Sequence, residues 1–145
     1  MGDFIMPVQV RRSDMDPNFH LRHSVYYGWA AMCRVAYLGN AGLTLNRMQQ
    51  LQIGPIIFRE ECIFRREIKQ GDPVTIDMKL LKAKRNFSRF TIVHQIKKNP
   101  ETVAAILTVD IAWMSGATRK LAVLPEEDIR LLSVNPLADG FQWLD

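Results

Sequence analysis

From Val25 to Leu38 the chain carries one charge, Arg34, set among Tyr26, Trp29, Ala30, Ala31, Met32, Cys33, Val35, Ala36, Tyr37 and Leu38. The segment reads as a helix from Val25 to about Gly39, with Ser24 as its N-cap and Gly39, Asn40 and Gly42 as its stop. A surface helix shows one apolar stripe, whereas a helix apolar almost all round must be enclosed. A wrapping sheet or a partner subunit has to do the enclosing. The stretch is also too short to span a bilayer, so no membrane anchor is expected of it.

The rest of the chain offers the sheet. Pro7 to Arg12 reads as a short strand on the alternation of Val8 and Val10. From Ile56 the apolar period becomes two, with Ile56, Phe58, Cys62, Phe64 and Ile68 on one face of a long strand. Gly71-Asp72-Pro73 turns the chain, and Val74, Ile76, Met78 and Leu80 mark a strand running toward Arg85. Asn86 breaks it. Phe90, Ile92 and Ile96 mark a third strand, about Ser88 to Lys97, and Asn99-Pro100-Glu101 is the next turn. Thr102 to Met114 is apolar on both parities, as in a strand covered on both faces. Pairing is expected to resume from Thr118 to Val123, and Pro125-Glu126-Glu127-Asp128 opens a terminal helix. An α+β class, one antiparallel sheet of about five strands wrapped around one long helix, meets every burial demand.

The 145 residues fit a single domain spanning residues 1–145. Hydrophobic residues at 48% and charged residues at 23% set the chain apart from disordered sequences. The net charge of +4 is mildly basic. However, no Lys/Arg run exceeds two residues, and no stacking aromatics are interleaved with them in a recognised motif, so no nucleic-acid partner is expected. Cys33 and Cys62 form neither a disulfide framework nor a zinc motif. Met1-Gly2-Asp3 lacks the features of a signal peptide, and Met6 stands where a myristoylation motif needs Ser or Thr. A cytoplasmic protein without membrane association is the expectation.

Chemistry concentrates just before the helix. Asp14, Asp16, Asn18, His20 and His23 crowd one polar loop, Ser13 to His23. A helix N-terminus offers unpaired N–H donors and a partial positive charge, so acid–base groups beside it suit an anionic or carbonyl group. Asp16, preceding Pro17, is either a reactive carboxylate or a turn-former accepting backbone N–H bonds. Asp14 is expected to cap the loop or orient a neighbour, and His20 either orients Asp16 or packs the loop. Asp16, His20 and His23 are competent ligands, yet no fourth ligand is apparent, so no metal is expected.

Farther along, Glu60 shares parity with Phe58, Cys62 and Phe64 and should face inward, where a carboxylate must be paired, protonated or solvated by a cavity. It either lines a pocket or sits at a bulge or against an Arg. His94, between Ile92 and Ile96, reads as a satisfied core histidine. Lys82, Lys84, Arg85 and Arg89 flank Asn86, with Arg119 and Lys120 farther on, as a solvated hairpin tip or as point charges for phosphates.

These residues carry a family likeness. A strand running into Asp14-Met15-Asp16, a short loop leading to His23 and Tyr26 at the helix start, and a meander with a Gly71-Asp72 turn resemble the hotdog-fold acyl-CoA thioesterases of the 4-hydroxybenzoyl-CoA thioesterase and YbgC-like type. The likeness covers roughly Pro7 to Pro125. It implies a hotdog fold, a homodimer or dimer of dimers with the active site at the subunit interface, no cofactor, and hydrolysis of an acyl-CoA to a carboxylate and free CoA. By the resemblance Asp16 is the nucleophile or general base, and His23 is its catalytic helper. Backbone N–H groups near His23 and Ser24 form the oxyanion site. His20, Tyr26 and Glu60 meet the substrate, and Lys84, Arg85 and Arg89 meet the CoA phosphates.

Such loops carry Gly two to four residues after the second Asp. Here Asn18, Phe19 and His20 stand there, which restricts the backbone of a tight loop. Two rivals remain. One is a non-catalytic acyl-CoA or acyl-carrier binder. The other is a hotdog enoyl-CoA hydratase, whose Asp-x-Asn-Pro-x-His motif differs from Asp14-x-Asp16-Pro17-x-x-His20 by an Asp and one extra residue.

Overall fold

A computed structural model describes residues 3–145. Met1 and Gly2, on which the signal-peptide and myristoylation readings bear, lie outside the described residues. The strands are β1 (Phe4–Val8), β2 (Ile53–Phe64), β3 (Val74–Ala83), β4 (Arg89–Lys98), β5 (Thr102–Ser115) and β6 (Leu137–Trp143). The helices are α1 (His23–Ala41), α2 (Leu45–Leu51) and α3 (Glu126–Leu132). The sheet runs β1-β3-β4-β5-β2 with antiparallel pairing throughout, and β6 joins the outer edge of β3 in parallel. The expected α+β class holds.

The sheet covers one side of α1. Tyr37 meets Phe4 of β1 with ring centroids 5.3 Å apart, Arg34 reaches His94 of β4 at 3.1 Å, and Tyr26 packs edge-on against Phe64 of β2 at 4.9 Å. β3 and β5 also contact the helix. Its buried residues are Tyr26, Trp29, Ala30, Cys33, Arg34, Tyr37 and Leu38, a stripe at three- and four-residue spacing. Met32 and Val35 on the other side remain half exposed, so the sheet alone does not enclose the helix all round.

Several boundaries differ from those expected, each for a local reason. The first strand is Phe4–Val8 rather than Pro7–Arg12, because the Asp14 carboxylate accepts the Arg11 N–H at 2.9 Å and draws residues 12–14 into a 3-10 turn. Arg22, not Ser24, occupies the N-cap of α1 and makes no side-chain cap bond. The helix ends at Gly42, whose φ of 109° a residue with a Cβ adopts only under strain. Strand β2 begins at Ile53 and stops at Phe64, while Ile68 is buried beyond it and accepts the Leu21 N–H at 3.2 Å.

A bulge at Phe58 shifts the β2 register, so Ile56 opposes Ala112, whereas Glu60, Cys62 and Phe64 oppose Val109, Leu107 and Ala105 on the helix side. Ile56 and Phe64 therefore do not share a face. Residues 118–123 form no strand, only a bridge between Met114 and Leu121. Helix α2 and strand β6 were not expected at all.

Candidate active site

The loop before α1 folds around Asp16. Its Oδ1 accepts the backbone N–H groups of Asn18 at 2.8 Å and His20 at 3.0 Å. Its own N–H donates to the His20 carbonyl at 2.7 Å, and its carbonyl accepts the Phe19 N–H at 3.0 Å. These four bonds hold Phe19 at φ 63° with its side chain pointing to solvent, 80% exposed. This is where the resemblance places a glycine, and the backbone keeps the glycine conformation without the residue that adopts it freely. Leu21 is buried and anchors the far side of the loop. Oδ2 of Asp16 accepts no hydrogen bond from the described residues, so one carboxylate oxygen builds the loop and the other is unspent.

Asp14 does what a capping residue does. It is buried, accepts the Arg11 N–H, and its carbonyl takes the Arg22 N–H at 2.9 Å, which sets the start of α1. His23 and Ser24 are the first two residues of α1, both exposed, and their N–H groups precede the first residue that has an intrahelical acceptor. Asp16 and these open donors belong to the same short stretch of chain. His20 turns elsewhere. Its Nε2 lies 2.6 Å from Glu67 Oε2, and Glu67 also meets Lys69 Nζ at 3.3 Å. The His20 backbone, not its ring, meets Asp16. Glu67 escaped the sequence reading because it lies past β2, in no periodic pattern.

Tyr26 lies in the core against Phe64, and burial, helped by nearby Cys62, pushes its hydroxyl up to about 12. Glu60 faces the helix, a quarter exposed, with Oε2 3.8 Å from Arg34 Nη2. His94 is fully buried. Arg34 Nη1 donates to its Nε2 at 3.1 Å, so its Nδ1 carries the proton and donates to the Asp77 carbonyl at 2.8 Å. Burial, then the Arg34 charge, pushes the imidazole down to about 3. It is a satisfied core histidine.

Lys84, Arg85 and Arg89 sit at the β3–β4 hairpin. The Asp16 loop, by contrast, lies beside Glu67, Ile68 and the Val74 end of β3. One chain thus holds these basic residues at the far end of a ten-residue strand, about 30 Å from the loop by strand rise. Arg85 stacks over Trp143 at 4.9 Å and its backbone N–H donates to the Asp145 carboxylate, while Arg89 lies over Phe58 at 4.8 Å.

That far end also holds a large cavity, about 810 Å³, between α1, α2 and the starts of β2 and β4. Val35, Leu38, Ile92 and Ile111 are typical of its apolar wall, and Arg34 lines it too. A smaller hollow of about 420 Å³ lies among Asn18, Phe19, His20 and Glu67. Among the described residues no group of three His, Cys, Asp or Glu side chains is placed to hold a metal ion. No described helix is long and apolar enough to cross a membrane.

The model of the Thioesterase-like superfamily matches residues 10–132. Among curated proteins none is similar enough in sequence to match. Solved structures do share the fold. A hypothetical protein from Staphylococcus aureus, solved in complex with CoA, aligns with a TM-score of 0.88 at 17% identity over 97% of this chain and 90% of its own. A hypothetical protein from Thermus thermophilus aligns at 0.81 and 21% identity, covering 90% and 98%. A 1,4-dihydroxy-2-naphthoyl-CoA thioesterase from Synechocystis aligns at 0.80 and 16% identity, covering 92% and 97%. At such identities the likeness concerns architecture, and that architecture is the expected hotdog.

Proposed function

The chain belongs to the thioesterase-like superfamily, and from that premise we propose that it hydrolyses an acyl-CoA thioester to a carboxylate and free CoA. One observation carries the reading: a carboxylate with one oxygen fixed by backbone N–H groups and the other free, beside an uncapped helix N-terminus. The thioester carbonyl oxygen sits on the N–H groups of His23 and Ser24, where the partial positive charge of α1 favours the oxyanion. The free Asp16 oxygen either removes a proton from an attacking water or adds to the carbonyl itself. In both routes the C–S bond breaks and the thiolate of CoA leaves and takes a proton; where Asp16 adds, the mixed anhydride so formed is then cleaved by water, which frees Asp16, and in either case water supplies the second carboxylate oxygen. His23, exposed at the same helix start, assists by holding the substrate or the water.

The working unit in this proposal is one hotdog domain paired with a second copy. β2 has no strand partner on its outer edge among the described residues, and Met32, Val35, Ile57 and Phe58 leave an apolar surface exposed beside it. A two-fold partner there brings its Asp16 loop toward the cavity end of this chain, so that Glu60, Lys84, Arg85 and Arg89 serve the partner's carboxylate. A CoA ester as substrate is consistent with a cytoplasmic protein.

A second reading, an acyl-CoA binder without turnover, is favoured by Asp16 Oδ1 being committed to two backbone bonds while Phe19 holds the glycine conformation. For the hydratase reading nothing comparable speaks, because the His20 ring pairs with Glu67.

The test is thiol release from short, long and aryl acyl-CoAs by wild type and Asp16→Asn. Asparagine retains the oxygen that accepts the two N–H bonds, so the loop persists while the charge is lost. We expect turnover on some thioester that falls at least about a hundredfold in the variant, within what one acid–base group contributes. Absence of turnover, with CoA still raising the melting temperature, would mean the binder reading is right.

A further inference from the structure

The large cavity has a mainly apolar wall with one buried charge in it, and the loop chemistry does not explain that charge. Its volume of about 810 Å³ falls in the range of roughly 300–1,000 Å³ in which proteins hold small organic molecules. Of the two charged residues lining it, Arg119 is exposed and Arg34 is buried, its side chain 9% exposed. A guanidinium has five N–H donors. Arg34 spends one on His94 Nε2 at 3.1 Å. Its Nη2 stands 3.8 Å from Glu60, beyond hydrogen-bond reach, and neither Nη2 nor Nε donates to any described residue. These donors keep solvent contact where Arg34 lines the cavity, and an occupant that displaced this water would leave them unpaired unless it brought an acceptor of its own.

We propose that Arg34 is a specificity-determining residue that receives a neutral oxygen, hydroxyl or keto, carried on the acyl group bound in this cavity. The chemistry selects neutrality. Glu60 balances the guanidinium at close range, and His94 is locked as a neutral acceptor by its bond to the Asp77 carbonyl. A full anion at Arg34 would leave the buried group of Arg34, Glu60 and His94 with an excess negative charge, Arg119 being exposed and screened by solvent, whereas a neutral oxygen accepts the spare N–H groups without one. Arg34 lies about 16 Å along α1 from His23 by helical rise, so where the oxygen sits on the acyl group depends on which copy supplies Asp16.

The inference rests on the thioesterase reading for turnover, but on the cavity alone for binding. The experiment compares kcat/KM for octanoyl-CoA, 3-hydroxyoctanoyl-CoA and 8-hydroxyoctanoyl-CoA in wild type, Arg34→Met and Arg34→Lys. We expect wild type to prefer one hydroxylated ester over its parent by about tenfold or more, the scale of one well-placed polar contact. The ratio should fall to near one in Arg34→Met and be intermediate in Arg34→Lys. No preference in wild type, or a preference that survives Arg34→Met, overturns the proposal. If none of the esters is hydrolysed, the reaction reading fails separately. Calorimetry with the non-hydrolysable thioethers S-octyl-CoA, S-(3-hydroxyoctyl)-CoA and S-(8-hydroxyoctyl)-CoA then decides on Arg34 alone: tighter binding of a hydroxylated thioether that is lost in the variants supports it, and equal affinities overturn it. Should Arg34→Met fail to fold, the intermediate ratio or affinity of Arg34→Lys carries the same decision.

Discussion

Phe19 is held against its own preference. A bulky residue in the left-handed region costs on the order of 1–3 kcal/mol, and a glycine there gives back about 0.5–1 kcal/mol through its freer unfolded chain. The exposed ring has almost no burial to lose. Phe19→Gly should therefore stabilise the protein by about 1 kcal/mol, read as a higher urea midpoint with unchanged slope; a lower midpoint would show that the ring makes contacts the single chain does not. His94 gives a residue-scale prediction with a sign. Folded, it stays neutral down to about 3; unfolded, it takes a proton near its ordinary value of 6.5. Below about pH 6.5 the unfolded state binds the extra proton, so His94 makes stability fall as pH falls, by up to about 1.4 kcal/mol per unit, until about pH 3. His94→Gln should flatten the dependence of the urea midpoint on pH between 6 and 4; an unchanged slope would mean that the imidazole is not held neutral. The burial of His94 was readable from its apolar neighbours, but its partner Arg34 was not. The pairing joins residues sixty positions apart, and a lone charge in an apolar helix looks the same whether it points to water or to a cavity.

Helix α2 shows at the scale of elements what pattern cannot reveal. β3 and β4 were legible because each buries alternate residues and so prints a period of two on the sequence, while α1 and β5 were legible as unbroken apolar runs. α2 buries no residue, and β6 is mostly exposed, so neither carries a period. The Phe58 bulge switched the inward parity partway along β2, which is why Ile56 was misassigned while Glu60 was not. What holds α2 is a fork: Arg47 Nε and Nη2 donate to the buried Asp128 carboxylate of α3 at 3.0 and 2.8 Å, and Nη2 meets Glu127 at 2.7 Å. The Thr44 hydroxyl caps its start, and left-handed Gly42 and Gln52 flank it. Leu45, Met48 and Gln49 line the large cavity, so this tether fixes one of its walls. Arg47→Met leaves the Asp128 carboxylate buried without its main partner. We expect faster amide exchange across α2 than across β4 and a lower melting temperature. Protection of α2 equal to wild type would mean that packing against β2, not the fork, seats the helix.

In the whole molecule, the polar loop and the pocket with its basic hairpin stand at opposite ends of α1. A single acyl-CoA cannot use both on one chain without spanning most of the sheet, about 30 Å by strand rise. The proposed dimer offers the remedy, because a two-fold copy on the apolar surface along β2 and the outer side of α1 would reverse the helix direction and face each loop with the other chain's pocket. The sequence could point to a site at the helix start, but not to this separation, which comes from strand order rather than from any local signal. Complementation tests it. Asp16→Asn disables the loop, and Lys84→Glu with Arg85→Glu and Arg89→Glu disables the hairpin; each alone should give an inactive homodimer. In a mixed dimer one site inherits both defects and the other inherits neither. Co-expression should thus restore activity, to about one quarter of the sites if the chains mix at random. If each chain worked alone, every site would keep one defect and the mixture would be as inactive as its parents. Thiol release from the co-purified mixture, set against the two separately purified variants, distinguishes these outcomes, and Met32→Glu, on the exposed side of α1 and outside the wall of the large cavity, should abolish the rescue by keeping the chains apart.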